Sequence, residues 1–248
     1  LWLIFFRKPE KSRLVTEKEK ALILQGRSDG QKGSRTIVPF KEILKTREAW
    51  GLIAIRFLLD PVFYFIMFWI PKYLSEERGL SFEQIGDLFW IPFLALGISN
   101  MIGGWASDKL IGSGFSVNKS RKIIMGIAAA VTMFTALTTA ASSVGMAIFF
   151  ISLFMFAHGF WITNYITITS EIFGKFATST VVGMAGTAGA VAGLLINPLI
   201  GKVVENYSYL PMWIASGMMY PLGFIVLLVM IPRTNEIKLK VKIIKYGK

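Results

Sequence analysis

Six stretches of about 19–25 mainly apolar residues, at 50–73, 83–106, 123–141, 146–169, 180–201 and 210–232, leave this chain few ways to fold. At 1.5 Å per helical residue, each crosses a bilayer core of about 30 Å with some tilt. The rest of the composition agrees. Apolar residues make up 54% of the chain, mean hydropathy is +0.56, and 17% of residues are charged, below the roughly 25% usual for soluble domains. This excludes a soluble Rossmann, barrel or sandwich enzyme. The absence of cysteine excludes thiolate metal sites, a cysteine nucleophile and a disulfide framework.

The net charge of +12 invites a nucleic-acid reading, but topology accounts for it better. Of the 27 Lys and Arg residues, 12 lie in the loop 7–49, four in 107–122, one in 170–179 and six after the last apolar segment. The opposite side has Lys72, Arg78 and Lys202, and Arg56 lies within the first segment. By the positive-inside rule the first loop and the C-terminal tail are cytoplasmic.

Residues 1–6 are apolar but too short to span, and are expected to be the end of a preceding transmembrane helix. Residues 7–49 form a cytoplasmic central loop. Its first part, 7–36, lacks apolar periodicity and reads as a mobile loop. In 37–48, Ile37, Phe40, Ile43 and Leu44 share one helical face, which predicts an amphipathic helix on the membrane surface. The tail, 233–248, alternates apolar and cationic residues from Ile237 to Ile243. A strand is one reading, and a basic tail on anionic headgroups is preferred. A shift of 97 residues sets Asn100-x3-Gly104-x3-Asp108 on Asn197-x3-Gly201-x3-Glu205. That correspondence supports an inverted repeat of three helices plus three.

Within the membrane, Arg56 and Asp60 stand at i and i+4 just before Pro61. Ionisable groups at this depth are expensive and face a cavity or each other. The pair is either a helix-stabilising bridge beside a kink, or an anion ligand (Arg56) and a proton site (Asp60). His158, the single histidine, is followed on its face by Trp161 and Tyr165, with Asn164 one position around. Such a stripe offers ring faces and an amide to a polyhydroxylated ligand, or it packs between helices. The glycines at 183, 186, 189 and 193 are not a nucleotide loop, since no strand precedes them; they allow close helix approach. In the loop from Gly104 to Lys122, Asp108 at one helix end faces Arg121 and Lys122 before the next. That is either a charge latch or a polar turn.

These residues resemble the C-terminal half of a major facilitator superfamily transporter, and more narrowly the hexuronate and galactonate branch of its anion:cation symporters. The resemblance rests on Phe6-Arg7-Lys8-Pro9-Glu10-Lys11, Arg56-Phe-Leu-Leu-Asp60-Pro61 and Phe68-Trp69-Ile70-Pro71-Lys72-Tyr73-Leu74. Ser75-Glu76-Glu77-Arg78-Gly79, Gln84-Ile85-Gly86 and Trp90-Ile91-Pro92-Phe93 continue it. Gly103-Gly104-Trp105-Ala106-Ser107-Asp108, Arg121-Lys122 and His158-Gly-Phe-Trp161-Ile-Thr163-Asn164 complete it.

The resemblance implies an all-α membrane protein: a six-helix bundle over 50–232, corresponding to helices seven to twelve of the fold, with inverted 3+3 repeats. It implies a multi-pass protein of the bacterial inner membrane that imports a sugar acid with protons by alternating access. No cofactor, metal, catalytic residue or nucleic-acid partner is implied. Trp161 and Asn164, with His158 and Tyr64, would line the substrate site, and Gly104, Asp108, Arg121 and Lys122 would form the cytoplasmic loop motif. An N-terminal six-helix half would supply the rest. The other reading is a non-transporting membrane scaffold, because six helices do not make the usual two-half transporter.

Overall fold

The computed structural model describes residues 7, 12, 15–28 and 34–245. The proposed helix end at 1–6 lies outside the described residues. The chain divides into two compact units, residues 1–39 with 239–248, and residues 40–238.

The smaller unit contains helix α1 (Glu17–Ser28) and a two-stranded antiparallel ribbon of β1 (Ser34–Ile37) and β2 (Lys242–Lys245). Ser34 pairs with Lys245 and Ile37 with Lys242. The expected featureless loop therefore contains a helix. Its start is a capping box: the Glu19 carboxylate accepts from the Thr16 backbone N–H and hydroxyl, both at 2.9 Å, and the Glu19 N–H donates back at 3.3 Å. The two bonds from Thr16, the backbone one foremost, hold Glu19 below the usual carboxylate range. In the tail only Lys242–Lys245 is a strand; the alternating stretch from Ile237 meets it at Lys242 and Ile243 and is otherwise without regular structure. The surface helix is shorter than expected. Ile37 ends β1, and helix α2 covers only Phe40–Leu44.

The larger unit is the membrane bundle. It comprises α3 (Arg47–Glu76), α4 (Phe82–Gly112), α5 (Val117–Thr132) extended by a 3-10 turn (Met133–Thr138), α6 (Val144–Asn206) and α7 (Leu210–Met230). Among the described residues five helices are long and apolar enough to span. One of them, α6, has 63 residues, about three bilayer thicknesses if straight. It does not run straight: Gly174 takes φ 57° and ψ −172°, a left-handed conformation that glycine adopts without strain. A Cβ there would also strike the Glu236 carboxylate. The break yields two arms, α6a (144–173) and α6b (175–206). The polar turn expected over 171–180 is thus compressed into a single glycine.

Contacts fix the directions of the passes. Leu52 and Phe63 of α3 meet Tyr165 and His158 of α6a, in reversed order. Asp60 and Tyr64 of α3 lie against Gly189 and Gly193 of α6b, in the same order. The two arms of α6 are therefore antiparallel, and the six passes alternate. The partners in the proposed repeat, α3 with α6a and α4 with α6b, cross in opposite senses.

Helix starts follow their sequence. Thr46, Ser81, Ser116 and Ser143 each accept a backbone N–H in the first turn of α3, α4, α5 and α6, and Ser81 forms a full capping box with Gln84. At the other end, Arg47 donates to Met230 O at 3.0 Å and to Val229 O, covering carbonyls that α7 leaves unpaired. The core contains Trp161, Trp213, Tyr73, Tyr165, Tyr220 and Phe65, all essentially inaccessible. Arg78 closes the far end of α5, donating to Ala141 O at 2.7 Å, Thr138 O at 2.8 Å and the Tyr73 hydroxyl at 2.8 Å.

Candidate functional site

Asp60 lies about 20 Å from the start of α3 and about 24 Å from its end, so it sits near mid-membrane. Arg56 Nη2 is 2.9 Å from Asp60 Oδ2. The two members differ in exposure: the Arg56 side chain is 26% exposed and that of Asp60 9%. Asp60 is enclosed because Gly189 brings α6b against it, and a Cβ at that position would fall on the carboxylate. Gly193 does the same for Tyr64. Gly183 and Gly186 face open space within the chain, so only half of the glycine stripe serves this contact. Arg56 Nε and Asp60 Oδ2 are buried without an aligned hydrogen bond among the described residues. The pair is held by charge contact, which leaves guanidinium donors unused. The Arg56 guanidinium also lies 6.0 Å from the centre of the Tyr165 ring.

Behind this pair the stripe of α6a from His158 to Tyr165 is packed. His158 stacks on Phe63 at 4.6 Å between centroids, and its Nδ1 lies 2.5 Å from the Tyr220 hydroxyl. Trp161 is 2% exposed and meets Tyr220 and Phe224 edge-on at 5.5 and 6.5 Å. Asn164 is fully buried; its Nδ2 donates to Phe160 O at 2.9 Å and Gly103 O at 3.3 Å, while Oδ1 has no partner. Tyr165 donates to Leu52 O at 3.0 Å. The structure thus sets His158 against Phe63 of α3 and within the field of Arg56. Trp161 is turned toward α7, and Asn164 toward α4. Thr163, on the accessible side of α6a, donates to Asn100 Oδ1 at 3.0 Å. This link between α4 and α6a was not singled out from sequence.

The second cluster lies where α4 ends and α5 begins. Arg121, 8% exposed, donates to Asp108 Oδ1 at 2.9 Å and to the Ser107 hydroxyl. Its Nη2 and Nε donate to Glu171 Oε1 at 3.2 and 3.3 Å. One guanidinium therefore ties together the ends of α4, α5 and α6a. Lys122 is not part of this cluster: its Nζ donates to Pro232 O at 2.9 Å, beyond α7. Gly104 has ordinary contact with Thr163, whereas Gly103 is the close approach, where a Cβ would stand 3.0 Å from Phe160 Cα. Glu171 was missed from sequence because it lies 50 residues from Arg121. Its one visible signal was a lone acid at a helix end rich in bases elsewhere. Among the described residues no group of three or more His, Cys, Asp or Glu is placed to hold a metal.

Alternating membrane passes define a multi-pass integral membrane protein, with a charge pair near the middle of α3 and an ion cluster at one end. The chain belongs to the Major Facilitator Superfamily, whose family model matches residues 1–197. It is 25% identical over 229 residues to the hexuronate transporter of Escherichia coli K12, covering 91% of this chain and 53% of that protein. Over 225 residues it is 24% identical to the D-galactonate transporter of Escherichia coli O6:H1, covering 85% and 51%. The chloroplastic ascorbate transporter of Arabidopsis thaliana is 25% identical over 228 residues, covering 91% and 42%. The chain spans about half the length of these relatives.

Proposed function

We propose that this chain is the C-terminal half of a secondary transporter that imports an anionic sugar acid, such as a hexuronate or galactonate, with protons across a bacterial inner membrane. The observation that carries this reading is the partly exposed Arg56 side chain, retained at mid-membrane with its Nε donor unused. A cation there is costly unless it serves an anion's path. The names of the relatives agree on the anion class. In this reading Arg56 takes the carboxylate, Tyr64 contacts hydroxyls, His158 and Trp161 form the wall behind them, and Asn164, whose amide NH2 is spent on Phe160 O and Gly103 O, has only its unpartnered Oδ1 to offer once α4 and α6a part. An N-terminal half completes the cavity.

Alternating access requires contacts that exist in one state only. The Asp108–Arg121–Glu171 cluster supplies such a latch, joining three helix ends whose separation breaks charge-assisted bonds. The glycine contacts of α6b with α3 let those helices slide without side-chain interlock.

The test is uptake of labelled glucuronate and galactonate by cells making the full-length protein. Asn164→Ala is expected to abolish uptake while membrane insertion stays normal. Normal uptake by this variant removes Asn164 as a ligand. Absence of uptake for every sugar acid, with the wild-type protein inserted, removes the transporter assignment.

A further inference from the structure

We propose that Asp60 is a proton-binding site that controls access to Arg56: protonation of its carboxylate frees the guanidinium for the carboxylate of the substrate. This inference rests on the sugar-acid reading of the site and adds the residue through which the proton acts.

The argument begins with the asymmetry of the pair. The Arg56 side chain is the more exposed member and the Asp60 carboxylate the enclosed one, shut in by Gly189. An anion approaching from the open side therefore meets Arg56 first, while Asp60 stays behind it. As long as Asp60 is ionised, two carboxylates would share one guanidinium in a low-dielectric pocket, and like charges at such range do not both stay ionised. Either the incoming anion is refused or Asp60 takes up a proton. The groups around Asp60 favour Asp60 as the carrier. On its own helix the facing charge is Arg56. From α6a come Tyr165 and His158, and from α7 Tyr220; both tyrosines lie within the field of Asp60 and Arg56, and the histidine within that of Arg56. From α6b the contact is Gly189, which has no side chain. His158 is already committed to the Tyr220 hydroxyl. No second carboxylate contacts the pair among the described residues.

The step balances. A proton from the outer medium binds the Asp60 carboxylate, giving a neutral acid and breaking the ion pair. The guanidinium then pairs with the substrate carboxylate, so the loaded site is again electrically neutral. After the bundle opens inward, the substrate leaves and Asp60 releases its proton. The Arg56–Asp60 pair re-forms, and one proton and one negative charge have crossed together.

The experiment uses the full-length protein in proteoliposomes, comparing wild type, Asp60→Asn and Asp60→Glu. Asp60→Asn mimics the protonated state and nearly preserves its shape. It is expected to retain exchange of labelled glucuronate across the membrane, at a rate that no longer depends on pH. It is also expected to lose accumulation driven by an imposed pH gradient by at least about tenfold, or 1.4 kcal/mol. Asp60→Glu, still titratable, should keep part of that accumulation. Accumulation by Asp60→Asn equal to wild type overturns the proposal. So does loss of its exchange while Asp60→Glu exchanges normally.

Infrared difference spectra on acidification provide a readout independent of transport. A protonated-carboxyl band present in wild type, shifted in Asp60→Glu and missing from Asp60→Asn supports the proposal, and a band unchanged in all three overturns it. If wild type neither exchanges nor accumulates any sugar acid while that band behaves as expected, the substrate reading fails and the proton site stands.

Discussion

Replacing Arg121 with Gln is expected to lower the thermal midpoint of the full-length protein by about 3–6 °C, working from two unequal bonds at about 1–2 °C per kcal/mol for a protein about twice this chain's length. Asp108 keeps 68% of its side chain exposed, so its share is that of a surface pair, at most about 1 kcal/mol. Glu171 is 24% exposed and accepts two guanidinium bonds, a charge-assisted contact of about 1.5–3 kcal/mol. Together they come to about 3 kcal/mol, the lower end of what breaking a buried pair costs. The ranking is sharper than the absolute values. Arg121→Gln should cost most, Glu171→Gln somewhat less, and Asp108→Asn no more than about 1–2 °C, from its ceiling of about 1 kcal/mol. Arg121→Gln combined with Glu171→Gln should be less than additive, because both changes remove the same bonds. The assay is fluorescence-monitored unfolding of the purified protein in detergent. Equal losses for Asp108→Asn and Arg121→Gln, or strict additivity of the double variant, would refute the assignment of Glu171 as the principal partner.

Two further variants probe the packing behind the site. Tyr220→Phe leaves His158 Nδ1 without its partner in a buried position, which should cost about 1–3 kcal/mol in denaturant unfolding; an unchanged midpoint would mean that the bond contributes nothing net. Gly193→Ala drives a Cβ into the Tyr64 ring, whereas Gly145→Ala meets nothing within 4 Å. The first should therefore destabilise by about 1–3 kcal/mol, and the second should be neutral or stabilise by up to about 1 kcal/mol. Reversal of that order in thermal unfolding would contradict the close approach of α3 and α6b.

The membrane passes were legible in the sequence because hydropathy integrates over some twenty residues and tolerates errors at each end. Arg56 and Asp60 were legible too, since an i,i+4 spacing fixes their neighbourhood on one helix. What sequence left open depended on which neighbour each face meets. The Arg121-Lys122 dipeptide looks like one basic patch, but adjacent helical residues point about 100° apart, and Lys122 caps the far side of α7. Glu171 and Arg78 act on partners 50 and about 60 residues distant, beyond any local pattern. The residues from His158 to Tyr165 were legible as a stripe, yet only packing decides whether such a stripe looks into a cavity or at Tyr220 and Phe224. In the smaller unit, Thr16-x2-Glu19 carried a helix-start signal that the polarity of the segment obscured. The ribbon required pairing across some two hundred residues that no window contains.

The central claim, proton-coupled movement of a sugar acid, is tested most directly by proton flux. Full-length protein is reconstituted in sodium-free vesicles with no imposed gradient, and glucuronate or galactonate is added outside while external pH is recorded. The account predicts that the medium turns alkaline as the sugar acid enters, that neutral glucose has no such effect, and that an uncoupler removes the signal. Entry of the sugar acid with no proton movement would contradict it.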